Sequence, residues 1–287
     1  MLENKNDLIF TIKQKFSQLS KGQKLIAQFI LENYDKAAFM TACKLGETVG
    51  VSESTVVRFA NALGFDGYPK LQKALQELIK TKLTTVQRVE MSKEYSDDWN
   101  ILRKVLKSDI ENIKGTLDEI DINSFQYLVN QTLNARRIYI VGLRSSTAIA
   151  EYLGFYLNLI LDNVKVVGYG ISDLFEQILN VGKDDLVIGI SFPRYSKKTL
   201  ELFKYAKGQG ATLVSLTDSV LSPIATLSDE TIIIKSNMAS FVDSLVAPLS
   251  FANALIIAVG MRKKDEITKY FDKLEYIWKE YSIYDEK

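Results

Sequence analysis

Between residues 52 and 61 the chain places Ser52, Ser54, Thr55, Arg58 and Asn61: hydroxyls, a guanidinium and an amide, spaced to share the outer face of one helix. Such groups reach phosphate oxygens and base edges in a major groove. A second set lies downstream in two short segments, Arg144, Ser145 and Ser146 in one and Ser191, Arg194 and Ser196 in the other. Each segment combines hydroxyls with an arginine at a helix start, where open backbone N–H groups and the helix dipole favour an anion. Two guanidiniums add bidentate hydrogen bonds to a phosphate or carboxylate. Helix caps are common, so one such segment would mean little. Two at neighbouring strand ends favour an anion pocket over a pair of ordinary caps.

The residue types that are missing narrow the chemistry further. The chain has no histidine and one cysteine, Cys43. That removes His-based triads, His general acids, His metal ligands, internal disulfides and Cys-rich zinc sites, so no metal is expected. Cys43 reads as a small buried apolar residue near a helix start. There is no GxxxxGKS/T loop, and Gly142 lacks the partners of a GxGxxG fingerprint, so neither ATP nor NAD is expected as a cofactor.

The first set of groups needs a scaffold, and Leu45–Leu63, LGETVGVSESTVVRFANAL, supplies one: a short helix, a tight turn at Gly50-Val51-Ser52 and a second helix. Gly50 accepts the positive φ that ends a helix, and Ser52 is placed to cap the first amides of the next. Val51, Val56, Ala60 and Leu63 line the inner face. This is the pattern of a helix-turn-helix DNA reader. A plain helical hairpin shares the inner face but gives no reason for the Ser/Thr/Arg/Asn outer one. Ser52, Ser54, Thr55 and Arg58 are the candidate DNA contacts, with Arg58 as the base or phosphate contact and Ser54 and Thr55 as phosphate clamps; Lys70, with Lys73 behind it, is a candidate backbone contact beyond the turn at Gly64–Pro69.

Around the reader, residues 1–80 carry helical periodicity and predict an all-α domain of four or five helices, one of them capped at Leu19-Ser20. Residues 81–97 are polar and read as a linker. From 98 to 287 two helices are followed by short β-rich runs alternating with helices: Arg137–Val141, Lys165–Tyr169, Leu186–Ile190, Thr212–Leu216 and Thr231–Ile234. That alternation predicts a doubly wound, five-stranded parallel sheet of the flavodoxin-like kind. The intervening helices are read at Thr147–Leu161, Ser172–Asn180 and Ser196–Gln209, and Phe241–Met261 and Lys264–Tyr281 close the chain. Ligands in such sheets sit beyond the carboxyl ends of the strands, where Arg144 and Arg194 fall.

Net charge is +1, which excludes a protein that coats nucleic acid through bulk charge, but residues 1–90 hold 13 Lys and Arg against 9 Asp and Glu. The modest positive surplus accompanies the reader. The N-terminal MLENKNDLIF lacks the pattern of a signal peptide. The longest apolar run, Leu245–Met261, is broken by Pro248, Ser250 and Asn253 and falls short of a bilayer span. A cytoplasmic protein with no membrane partner is expected.

Two stretches are similar to a known family. LSKGQKLIAQFILENY and VSESTVVRFANALGFDGYPKLQKAL, within about Leu19–Leu78, resemble the RpiR family of bacterial transcription regulators. Residues from about Arg137 to Met261 resemble a SIS (sugar isomerase) domain. The resemblance implies a phosphosugar effector that alters DNA binding. It also exposes departures. The SIS phosphate loop, usually Ser-x-Ser-Gly-x-Thr, is Ser191-Phe192-Pro193-Arg194-Tyr195-Ser196 here, and Arg144 stands at the second glycine of the usual Gly-x-Gly-x-Ser. Three accounts stay open: guanidiniums replacing lost contacts, a more anionic or acidic sugar effector, or a closed pocket. An anionic ligand is the favoured one.

The expected function is therefore a regulator of double-stranded operator DNA whose sugar effector biases one arrangement of a homodimer or homotetramer. Phe241–Met261 reads equally as a dimer surface or as core. The competing reading is a sugar-phosphate isomerase with an accessory helical domain, for which Glu176 and Glu151 are the nearest candidate bases. Without an acid–base pair no catalytic residue is assigned, and no enzyme is expected.

Overall fold

Five helices surround one apolar core in the N-terminal part of the chain: α1 (Leu8–Lys15), α2 (Lys21–Ala37), α3 (Ala42–Val49), α4 (Glu53–Leu63) and α5 (Tyr68–Lys82). The computed structural model describes residues 8–82, 86, 88, 89, 97–238 and 240–284. The first seven residues and most of the 81–97 stretch read as a linker lie outside the described residues. The chain divides into two compact units, Met1–Glu90 and Met91–Lys287. In the first, Ile12, Ile26, Ile30, Leu45, Val56, Phe59, Leu71 and Leu75 form a fully buried cluster. α2 starts at a capping box, with the Ser20 N–H donating to the Gln23 carboxamide at 3.0 Å.

In the second unit α6 (Asp98–Glu119) and α7 (Ile122–Asn134) precede the sheet. The strands are β1 (Ile138–Gly142), β2 (Val164–Val167), β3 (Leu186–Ile190), β4 (Thr212–Thr217) and β5 (Glu230–Ile233). All pair in parallel, in the order β2-β1-β3-β4-β5. This is the flavodoxin-like order, with its reversal between β1 and β3. α8 (Thr147–Ile160), α9 (Leu174–Gln177), α10 (Lys197–Gly208), α11 (Val246–Arg262) and α12 (Lys264–Glu280) complete the unit.

The alternation of each strand splits the core into two layers. Ile138, Ile140, Leu186, Ile188, Val214 and Leu216 pack with α7, α8 and α11. Tyr139, Val141, Val187 and Leu213 pack on the other face with α9 and α10. At the amino ends of β1 and β3 a buried Asp185 receives Arg136 in a bidentate pair at 2.6 and 3.0 Å. That pins the closed end of the sheet and leaves the carboxyl ends to the loops.

Three expectations are corrected. The helix read at Ser172–Asn180 is the single turn α9, because Asp173 and Glu176 cap its start and Gln177 folds its carboxamide back onto the Gly168 backbone. α11 begins at Val246 and not at Phe241, since Ser244 just before it is tied elsewhere: its carbonyl accepts from the Ser236 hydroxyl and its own hydroxyl donates to Asp109 of α6. Cys43 is exposed, not buried, and donates to the Glu47 carboxylate at 3.6 Å. The Glu47 charge holds its thiol above the usual range, the opposite of an activated thiolate. α11 buries Ala247, Phe251, Leu255 and Val259 and so serves as core, with Ile257 and Met261 exposed. Among the described residues no single helix is long and apolar enough to cross a membrane.

Candidate functional sites

The reader is built from α3, the turn and α4. Thr41 caps α3, and Gly50 takes φ 78° to end it, so that the Val51 N–H reaches back to the Gly46 carbonyl at 2.8 Å. α4 then buries Val56, Phe59, Ala60 and Leu63. Phe59 belongs with the inner-face residues although the sequence pattern passed over it. The inner stripe fixes the helix and turns Ser54 and Arg58 to solvent.

The outer side chains form one hydrogen-bonded cluster. The Ser52 hydroxyl lies 2.9 Å from both the Ser54 and Thr55 hydroxyls. Arg58 donates through Nε to the Ser54 carbonyl at 3.2 Å and through Nη2 to Thr55 Oγ1 at 3.5 Å. Ser52 holds the N-cap position but makes no side-chain cap, so the expected bond to the helix amides is replaced by bonds to its two hydroxyl neighbours. The Thr55 N–H bonds back to the Ser52 carbonyl at 2.9 Å, so Glu53 and Ser54 are the amides this helix start offers an anion, alongside three hydroxyls and a guanidinium. Ser20, Gly22 and Gln23, from the start of α2, line a notch of about 480 Å³ with Val51, Ser52, Thr55 and Arg58. These α2 residues were not read from the sequence as site residues; the capping-box signature there was the available signal.

Lys70 is exposed in the first turn of α5 and is not among the residues lining that notch. Asn61 faces out as expected, yet its carboxamide accepts from the Gly67 N–H at 3.1 Å and braces the following turn. That turn delivers Tyr68, whose buried hydroxyl donates to the Met40 carbonyl at 2.7 Å. Burial pushes its phenol up to about 12.

The second site lies at the switch point. Gly142 of β1 pairs with Ile190 of β3, so the segments beginning at Leu143 and Ser191 leave the sheet side by side. Gly142 must stay bare, because a Cβ there would sit 2.7 Å from the Ser146 carbonyl oxygen. Arg144 takes φ 61°, the left-handed conformation its glycine-like place demands, while Arg194 does not. Of the two arginines that stand at glycine positions of the family pattern, Arg144 is the one in the left-handed region.

Arg144, Ser145 and Arg194 are exposed at this edge, and Ser146 and Ser191 are buried beneath it. Ser196 caps α10, its hydroxyl accepting from the Thr199 N–H at 3.3 Å. Its oxygen is committed to that cap; the other five place two guanidiniums and three hydroxyls on the segments that follow β1 and β3. Next to it the segment after β2 forms a cavity of about 360 Å³ lined by Tyr169, Ser172, Asp173, Phe175 and Lys198. Lys198 pairs with Glu201 at 2.8 Å, and that contact holds its ammonium above the ordinary value. The Lys197-Lys198 doublet just past the cap was visible in the sequence and went unread.

Both halves match known protein families. A helix-turn-helix domain of the rpiR family matches residues 7–82, and a SIS domain matches residues 133–258. An HTH-type transcriptional regulator of Haemophilus influenzae is 29% identical over 216 residues, 75% of each chain. The sugar isomerase domain of an RpiR transcription factor from Sphaerobacter thermophilus superposes with a TM-score of 0.57 at 27% identity, over 60% of this chain and 96% of that one. The Vibrio vulnificus NanR protein, complexed with ManNAc-6P, shares the fold with a TM-score of 0.57 at 21% identity, over 94% of this chain and 98% of that one.

Proposed function

This chain belongs to the rpiR family of helix-turn-helix transcriptional regulators, and on that premise we propose that α4 reads operator DNA under the control of an anionic sugar effector. Ser52, Ser54 and Thr55 grip backbone phosphates, Arg58 reaches a base edge or phosphate, and Lys70 adds a flanking contact. The observation that carries this reading is the exposed hydroxyl–guanidinium cluster at the start of α4, with its cap position unspent. Two readers are needed for two half-sites about one helical turn apart, so the working form is a homodimer or a pair of dimers. It acts in the cytoplasm, with its DNA.

The effector occupies the crevice between the β1 and β3 loops, held by Arg144, Ser145, Ser146, Ser191, Arg194 and the first turn capped by Ser196. Support comes from the paired loops, from the two arginines and from the phosphosugar bound by NanR, a protein of the same fold. The α/β unit acts as a receptor and not as an isomerase. The chain has no histidine, and the Glu176 carboxylate is occupied in a capping box with Asp173. Glu151 sits exposed on α8.

The test is fluorescence anisotropy with DNA from upstream of the protein's own gene, repeated with a panel of sugar phosphates and sugar acids that includes ManNAc-6P. One compound is expected to shift the affinity, and replacing Arg144 and Arg194 together by Ala abolishes the shift while leaving ligand-free DNA binding intact. A response that survives the double change places the effector elsewhere, and isomerisation of any panel compound overturns the receptor reading.

A further inference from the structure

Asn61 closes the outer stripe of α4 with a carboxamide of which only one end is in use. Ser54, Arg58 and Asn61 follow one another at helical spacing, so they share a face, and all three are exposed. Asn61 Oδ1 accepts from the Gly67 N–H at 3.1 Å. The Gly67 backbone nitrogen can only donate, so the oxygen and not the amine of the carboxamide faces the turn. Among the described residues Asn61 Nδ2 has no protein partner, and both of its N–H donors are open.

The turn holds the oxygen in that direction. Between α4 and α5 the chain doubles back through two left-handed glycines, Gly64 at φ 97° and Gly67 at φ 79°. The Gly67 N–H is shared with the Phe65 carbonyl at 3.0 Å, so Asn61 is the acceptor that ties this N–H to α4. Rotating the carboxamide by half a turn would set amine against N–H, donor against donor.

We propose that Asn61 is a specificity-determining residue of the reader and that it selects guanine over adenine. The inference rests on the DNA reading above and adds which base one position takes. Asparagine ordinarily recognises adenine, its oxygen on the N6 amino group and its amine on N7, a contact that needs both ends of the carboxamide on one base edge. Here the oxygen is turned to Gly67 and donors alone are left. In the major groove guanine presents two acceptors, N7 and O6, whereas adenine carries an amino group in place of O6 and thymine offers O4 alone. A pair of donors therefore meets its best partner in guanine.

Two further features favour a base over a phosphate and separate Asn61 from Arg58. The last turn of α4 carries the negative end of the helix dipole, and Asn61 has no charge to offset it against a phosphate. Arg58 is drawn back over the first turn, with Nε on the Ser54 carbonyl and Nη2 on Thr55 Oγ1. Asn61 lies one further step along the stripe, about 4.5 Å of helix rise. At roughly 3.4 Å per base pair, the two side chains address positions about one to two pairs apart.

The experiment is an anisotropy competition on the fragment upstream of the protein's own gene, with each G·C pair changed in turn to A·T, for wild type, Asn61→Ala and Asn61→Asp. In the wild type one guanine per half-site is expected to lose about 10-fold in affinity on becoming adenine and to do so only while Asn61 is present. Asn61→Ala binds both versions of that site alike and keeps the sensitivity at every other guanine. Asn61→Asp keeps an oxygen for Gly67 but has no donor, so it loses the same ratio with an unchanged urea midpoint; the ratio is read, and a uniform loss from the added charge does not enter it. A position that depends on Asn61 and prefers adenine overturns the proposal. So does a wild type that binds the fragment specifically with no position dependent on Asn61, which leaves a brace for the turn and the DNA reading intact. A wild type with no sequence preference at all removes both.

Discussion

In α4 the apolar stripe Val56, Phe59, Ala60 and Leu63 is buried while hydroxyls and a guanidinium face outward; in α6 Asp109, Asn112 and Thr116 face inward while Trp99, Leu106, Ile113 and Leu117 face solvent. Both helices have one apolar and one polar side. The buried side holds the unit together, and the exposed side declares the partner. A polar, amide-rich helix start suits a polyanion, and an exposed apolar stripe suits an apolar surface.

That contrast yields a graded set of substitutions. The largest effect is expected at Phe59→Ala, which empties the inner face of α4 and costs about 3–5 kcal/mol in denaturant unfolding of the helical unit. Asn112→Ala comes next, at about 2–3 kcal/mol on the α/β unit, because it strands both the N–H and the carbonyl of Asn237. A neutral Asn112→Ala would break the comparison, showing that the polar side of α6 holds nothing.

Tyr68→Phe costs about 1 kcal/mol through the lost bond to the Met40 carbonyl. Its phenol pKa is raised from 10.0 to about 12, so the fold favours the neutral form. The stability linked to this group is fully present below about pH 10 and is lost as pH rises toward 12. The Phe variant should lack that alkaline component, read by thermal melts across the range. Leu117→Ala is the smallest, within about 0.5 kcal/mol, because the side chain is 72% exposed. A large loss there would show that the stripe is packed within its own unit.

The reader was legible because its chemistry is local. Gly50, the inner stripe and the outer hydroxyls lie within one short stretch, and the turn geometry follows from residue type. The five parallel strands were legible from β-rich runs at regular spacing. Less was legible wherever a distant group decides the outcome. Nothing near Phe241 announces that Ser244 is tied to Asp109, far earlier in the chain, ahead of the start of α11. Periodicity finds the stripes of α6, but which one is buried depends on what packs against the helix, and Thr116, Asn112 and Asp109 meet their partners only after folding. In the crevice the glycine-to-arginine change at 144 was plain. Its left-handed backbone, and the commitment of Ser196 to a cap, needed the loops in three dimensions.

The central claim is that the outer face of α4 reads DNA sequence. Its most direct test is an anisotropy titration of the fragment upstream of the protein's own gene against a shuffled fragment, at matched salt, for wild type and Arg58→Ala. The account predicts at least about 10³-fold preference for the upstream fragment in the wild type. It predicts a loss of about 1–3 kcal/mol on that fragment in Arg58→Ala, with binding to shuffled DNA little changed. Equal affinity of the wild type for both fragments, or full sequence preference retained by Arg58→Ala, would contradict it.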